Sequence, residues 1–262
     1  MPKAGGFEYT LQASQGSERE LPLLVLPGFP GGRAGSAWLT ERLSQTRRVL
    51  SVDPLGSAGS EVPAAQSAEY SFPNAARRLL SLLDELELKR VEVLGMSLGG
   101  VWAQYAMAEA PSRFARGWLV GTCARLRARE RAWAEHVLAQ LDSTLSMQAI
   151  ARAAALQQFT PQFLRRPAAL MLLDRFVNHV QLRREGFVGQ FRAMLEHDSR
   201  ALLPRCTFAV DVIVGACDGV FPPDLSEEVA QQLPNARLHV MDGVGHCPWI
   251  EAPEAFLALL RQ

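Results

Sequence analysis

Short apolar runs alternate with longer stretches of helical period along this chain, and that alternation constrains its fold more than any other feature. Leu23–Pro27, Arg48–Asp53, Val91–Gly95, Gly117–Gly121, Ala209–Gly215 and Arg237–Met241 are too short for helices and mostly apolar. Runs of this kind predict parallel strands buried on both faces. Between them, Ala37–Leu43, Pro73–Leu86, Leu98–Ala110, Asp224–Gln232 and Ala252–Arg261 carry helical spacing. Strand–helix–strand crossovers are right-handed, so the fold class is α/β: a mostly parallel central sheet flanked by helices. A weaker strand pair is expected around Gly6–Gln12. No internal repeat or low-complexity tract interrupts the pattern.

Residues 124–203 break the alternation. They offer no convincing strand, only Ala-, Leu- and Arg-rich segments interrupted by Pro161 and Pro167. The stretch reads as a helical cap inserted into a core domain formed by residues 1–123 and 204–262. It holds 12 Arg and 7 acids, a net of +5, which leaves the remainder at −5 in a chain with 27 basic and 27 acidic residues. A solvated surface accounts for most arginine-rich helices. The sharper alternative is a basic rim that draws an acidic partner or a carboxylate-bearing substrate. Its apolar residues, Trp133, Leu138, Phe159, Phe163, Leu170, Phe176, Phe187 and Phe191, fit either a greasy acyl pocket or the segment's own core.

The remaining bulk properties narrow the class. A length of 262 residues suits one α/β domain with a sizeable core. A neutral total gives no electrostatic drive toward nucleic acid. No run of 18 apolar residues occurs, and the N-terminus lacks the apolar core of a signal peptide. The four cysteines, Cys123, Cys206, Cys217 and Cys247, are far apart, as expected for reduced thiols in the cytoplasm. With no metal cluster, Walker loop or dinucleotide fingerprint, no metal and no cofactor is expected.

The chemistry concentrates where a strand meets a helix. Val91–Gly95 runs directly into Gly95-Met96-Ser97-Leu98-Gly99, followed by Gly100 and a helical stretch. A serine at the tip of such a turn projects its hydroxyl above the sheet. Gly95 and Gly99 remove side chains that would collide with the neighbouring strand and helix. The helix after the turn aims free N–H groups at the site and favours negative charge there. Ser97 is therefore the candidate nucleophile, with Gly95 and Gly99 forming its elbow.

With those residues in view, the chain resembles the α/β-hydrolase superfamily in its serine hydrolase branch, over about 180 residues on both sides of the cap. The resemblance implies a backbone oxyanion hole. One N–H would come from Leu98, the residue after the nucleophile. The other would come from Phe29, in Pro27-Gly28-Phe29-Pro30-Gly31-Gly32. Pro27 stands where that family most often has histidine, so altered local hydrogen bonding is expected rather than lost chemistry. The segment Asp53-Pro54-Leu55-Gly56-Ser57-Ala58-Gly59-Ser60 resembles a second family turn, with Ala58 at its second glycine.

A serine hydroxyl needs a base within hydrogen-bond reach. His136, His179 and His197 fall in the cap or its return, and His239 lies inside a strand. His246 alone follows a strand end in a glycine-flanked loop, Asp242-Gly243-Val244-Gly245-His246, similar to the family's C-terminal histidine loop. The acid should fall between nucleophile and base in the chain. Asp218 does so, directly after a strand, 28 residues before His246. Asp224 reads instead as a helix N-cap or first-turn acid. Cys217 and Cys247 flank two of these residues but receive no role.

The expected activity is hydrolysis of a carboxylic ester or lactone through an acyl-enzyme on Ser97. A thioesterase, C–C bond hydrolase or perhydrolase of the same fold is the alternative, and a ligand receptor or scaffold a third. The chain resembles small bacterial carboxylesterases, enol-lactone hydrolases and the methyl ester esterase that acts on a pimeloyl carrier. That last resemblance implies an acidic acyl carrier protein as possible partner of Arg125, Arg127, Arg129 and Arg131. Otherwise a small-molecule ester or acyl substrate is expected, with no nucleic acid and no membrane.

Overall fold

A computed structural model describes residues 1–13, 21–29, 31–141, 145–179 and 183–261, and at positions 175, 176, 178 and 179 the backbone only. Pro30 and the side chains of Phe176 and His179 lie outside it. The strands are β1 (Lys3–Ala4), β2 (Phe7–Gln12), β3 (Leu23–Leu26), β4 (Val49–Val52), β5 (Val91–Met96), β6 (Phe114–Val120), β7 (Ala209–Gly215) and β8 (Ala236–Met241). They form one sheet in the order β1-β2-β4-β3-β5-β6-β7-β8. β1 and β2 join antiparallel, and every pairing from β4 to β8 is parallel.

The core helices are α1 (Gly32–Ser44), α2 (Phe72–Glu85), α3 (Leu98–Glu109), α9 (Pro223–Gln232), α10 (Pro248–Glu251) and α11 (Pro253–Leu260). Between β6 and β7 come α4 (Ala128–Leu141), α5 (Met147–Leu156), α6 (Pro161–Leu164), α7 (Pro167–His179) and α8 (Arg184–Leu195). Among the described residues of that stretch no strand forms, only an isolated bridge from Arg125 to Asp198.

Period-two alternation in the strands divides the core. Leu24 and Leu26 of β3 pack with α2, α3 and α9, while Leu23 and Val25 pack on the opposite face with α1 and α11. All four are essentially buried, and each contributes about 1.5–3 kcal/mol of apolar burial. The inserted helices divide likewise. Phe159, Phe163 and Leu173 join the α1–α11 side, while α4 and α8 close around Phe187 and Phe191 in a cluster of their own.

Two boundaries differ from the sequence expectation by three residues or more, the others by one at most. Helix α1 starts at Gly32 rather than Ala37, because Arg33 is gripped from outside the helix: its N–H donates to Asp53 Oδ1 at 2.8 Å and its Nε to Oδ2 at 2.5 Å. Strand β6 starts three residues early, at Phe114 rather than Gly117, where Arg116 reaches Asp211 of β7.

Candidate active site

The parallel strands deliver the chemistry-bearing loops to one edge of the sheet. β5 ends at Met96 and α3 begins at Leu98, so Ser97 alone makes the turn. Its backbone sits at φ 54°, ψ −121°, a conformation that costs a non-glycine residue about 1–3 kcal/mol. Its N–H donates to the Val120 carbonyl at 2.7 Å, tying the turn to β6. The flanking glycines admit the geometry. A Cβ on Gly99 would stand 2.1 Å from the Leu26 oxygen, and one on Gly95 2.7 Å from the Gly99 oxygen.

His246 follows β8 and reaches Ser97, and Asp218 follows β7 and reaches His246. His246 Nε2 lies 2.8 Å from Ser97 Oγ, and His246 Nδ1 lies 2.7 Å from Asp218 Oδ2. The other carboxylate oxygen, Oδ1, accepts the Val220 and Phe221 N–H groups at 2.9 Å each. An ionised carboxylate only accepts, so Nδ1 carries the imidazole proton and Nε2 accepts from the serine hydroxyl. Ser97, Asp218 and His246 are 7, 4 and 2 % exposed. The arrangement can draw the hydroxyl proton onto the imidazole as Oγ attacks, with the carboxylate balancing the imidazolium.

The rival residues lie elsewhere. Asp224 sits in the first turn of α9 and pairs with Arg127. His136 contacts Gln140 at the surface, and His239 contacts Asp211 on the sheet. His197 is buried between Tyr105 and the Cys123 carbonyl, where burial pushes its pKa down to about 4.

Phe29 and Leu98 line the same cleft as Ser97 and His246, together with Leu126, Trp133, Ala134, Ala154, Gln158, Phe191, Met194, Val220 and Phe221. The cleft with its open mouth spans about 500 Å³. Leu98 opens α3, so its N–H belongs to the first turn, which has no intrahelical acceptor. Of the segment's apolar residues singled out from sequence, Trp133 and Phe191 line the cleft. Phe159, Phe163 and Phe187 are core, Leu138 packs at its edge, and Leu170 is half exposed.

Of the basic rim, Arg125, Arg127, Arg129 and Arg131 each have a contact within the chain, and two of them pair with α9. Arg125 and Arg127 pair with Glu228, Arg127 also with Asp224, and both acids belong to α9. Arg129 donates to the Gly219 carbonyl, and Arg131 to that of Leu195. The four cysteines are free thiols, three of them buried and Cys217 exposed. Ala58 takes a positive φ of 48°, doing without glycine what the resembling turn does with it.

Two residues escaped the sequence reading. Gln158, between α5 and α6, touches the Phe29 carbonyl, Cys247 and the His246 N–H. Glu251, in α10, accepts from the Gly245 and Thr160 N–H groups and the Thr160 hydroxyl. The position of Glu251 five residues after His246 was a usable signal; Gln158 had none. Among the described residues no three His, Cys, Asp or Glu side chains gather as a metal site requires. No helix among them is long and apolar enough to cross a membrane.

The chain is 31% identical over 259 residues to 2-hydroxymuconate semialdehyde hydrolase of Pseudomonas putida, covering 90% of this chain and 82% of that one. It is 29% identical over 228 residues to a pimeloyl-[acyl-carrier protein] methyl ester esterase of Neisseria meningitidis, covering 85% and 70%. The enol-lactonase structure from Burkholderia xenovorans LB400 superposes with a TM-score of 0.79 at 26% identity, covering 97% and 95%. The profile of the alpha/beta hydrolase fold family matches residues 22–253, which span β3 to β8 and the inserted helices, and the chain belongs to that family.

Proposed function

We propose that this protein is a serine hydrolase that cleaves carboxylic esters or lactones through an acyl-enzyme on Ser97. The continuous hydrogen-bond chain from Ser97 Oγ through His246 to Asp218 carries this reading. Ser97 Oγ attacks the carbonyl carbon while its proton passes to His246 Nε2, and Asp218 stabilises the imidazolium. The Phe29 and Leu98 N–H groups hold the oxyanion, each such donor contributing about 3–4 kcal/mol. His246 returns its proton to the leaving alkoxide, then deprotonates the water that releases the acid. For a lactone, the alcohol and acid leave as one molecule.

Residues 124–203 serve as a cap over this site. The wall they supply, Leu126, Trp133, Ala134, Ala154, Gln158, Phe191 and Met194, is apolar apart from the indole N–H and the Gln158 amide, which suits an apolar acyl group. The described lining holds no Lys or Arg, so a substrate carboxylate would find no ion partner there. That favours a simple ester over the acidic substrates of C–C bond hydrolysis. A carrier-borne ester has support from the methyl ester esterase relative. It would fall to Arg129 and Arg131, 65 and 48 % exposed and 3.9 Å from Glu130 and Glu135, because Arg125 and Arg127 pair more closely with α9.

The test is steady-state hydrolysis of p-nitrophenyl esters of increasing chain length by wild type and Ser97→Ala. Loss of the nucleophile should lower kcat by about 10⁴–10⁶. The chain-length profile would measure the acyl pocket. Turnover surviving the alanine change would overturn the assignment of Ser97. A wild type inactive on every ester would move the reading to C–C bond hydrolysis.

A further inference from the structure

We infer that Gln158 is a positioning residue that holds the Phe29 loop and the His246 loop in register. The inference rests on the roles proposed above for Ser97, His246 and Phe29. Gln158 belongs to the inserted segment, between α5 and α6, yet it is 8 % exposed and reaches both loops at once. Its Nε2 donates to the Phe29 carbonyl at 3.1 Å, and its own carbonyl accepts the His246 N–H at 2.8 Å. Its Oε1 accepts from Cys247 Sγ at 3.2 Å.

These partners leave the amide one orientation. A backbone carbonyl can only accept, so the NH₂ end must face Phe29 and the oxygen must face Cys247. Burial holds the Cys247 thiol pKa well above its ordinary value, which keeps the thiol a donor. The neighbouring cap residue fastens the same strip. The Thr160 N–H and hydroxyl reach the Glu251 carboxylate at 3.0 and 2.7 Å, and that carboxylate also accepts the Gly245 N–H. The packing admits no substituent between them: a Cβ on Gly245 would stand 2.9 Å from the Gln158 oxygen.

The functional consequence follows from the covalent geometry of Phe29. Its N–H is the proposed oxyanion donor and its C=O is the group that Gln158 grips. The two groups lie in adjacent peptide planes joined at the Phe29 Cα, so gripping the carbonyl limits rotation about ψ and narrows the positions open to the loop that carries the N–H. Oxyanion stabilisation depends on donors held in place before reaction, so a loosened Phe29 loses transition-state binding and little ground-state binding. A leucine or methionine would fill the same volume without the donor.

The experiment follows inactivation by an alkyl fluorophosphonate. Here Ser97 Oγ bonds to phosphorus, fluoride leaves, and the hydroxyl proton goes to His246. Gln158→Met keeps side-chain length and removes both polar ends. Gln158→Asn keeps the amide on a stem too short to bridge both loops. Both should lower kinact, and kcat for a short-chain p-nitrophenyl ester, by about 10–100-fold, with KI and KM within about 3-fold of wild type. Thermal unfolding midpoints close to wild type would show that the loss is not general destabilisation. Unchanged kinact in either folded variant would overturn the inference, as would a loss confined to KI and KM. A wild type that the reagent fails to label at Ser97 would overturn the reading of the site itself, and with it the role of Gln158.

Discussion

The inserted helices meet the core along two seams on either side of Ser97, and the seams are built from different chemistry. On the Asp218 side the fastening is ionic and wet. Arg127 binds Asp224 and Glu228, Arg125 binds Glu228, and the two arginines are 37 and 42 % exposed. On the His246 side it is buried, with Gln158 and Thr160 bonded to the Phe29 carbonyl, the His246 N–H and the Glu251 carboxylate. Exposed ion pairs contribute about 0–1 kcal/mol each and are screened by salt. Hydrogen bonds to a buried charged group contribute about 1.5–3 kcal/mol, and breaking them strands polar atoms away from water. The arginines that dominate the sequence are thus the weaker fastening, and the uncharged contacts of Gln158, together with those of Thr160 to the Glu251 carboxylate, are the stronger.

Cutting the buried seam should have the largest effect. Glu251→Ala leaves the Gly245 and Thr160 N–H groups without their acceptor and opens a cavity beside the His246 loop. It should lower stability by about 4 kcal/mol in urea unfolding, whereas Glu251→Gln, which keeps an acceptor, should cost about 1 kcal/mol. An alanine variant within about 0.5 kcal/mol of wild type would erase the contrast between the seams.

A second buried contact lies where the inserted helices return to the sheet. His197 Nε2 donates to the Cys123 carbonyl at 3.0 Å, and Ser199 Oγ donates to Gln104 Oε1 at 2.5 Å. Burial lowers the His197 pKa from 6.5 to about 4. The unfolded chain therefore binds the extra proton between those values while the folded chain does not. This contribution is fully present above pH 6.5 and is lost as pH falls to about 4, a total of about 3 kcal/mol. His197→Gln should flatten the fall of the unfolding midpoint across that window. An equally steep fall in the variant would place the acid sensitivity elsewhere.

The contrast also explains what could be read from the sequence. β7 forms at the expected residues, and Ser97, Asp218 and His246 meet as expected, because each follows a strand end and carries a local signature. Gln158 lies 129 residues from Phe29, in a stretch with neither strand nor glycine punctuation, so no local pattern marks it. The arginine cluster was visible as charge, but its partners in α9 are about 100 residues away, and tertiary pairing turned an apparent docking rim into a seam. Helix α1 was read short for a related reason. Its opening glycines have poor helix propensity, and the contact between Arg33 and Asp53 overrides it.

The smallest effect belongs to the ionic seam, and salt is the variable that isolates it. Arg127→Gln removes the contacts to Asp224 and Glu228 while leaving Arg125 on Glu228. At low ionic strength it should cost about 0.5 kcal/mol, and the difference from wild type should shrink as salt rises to about 0.5 M, where the Debye length falls to about 4 Å. Activity on a small ester should change less than about 3-fold, since Arg127 is absent from the cleft lining. The result that would break the comparison is a salt-insensitive loss of several kcal/mol. It would mean that the α9 contacts are desolvated in solution, and that both seams fasten the helices with comparable strength.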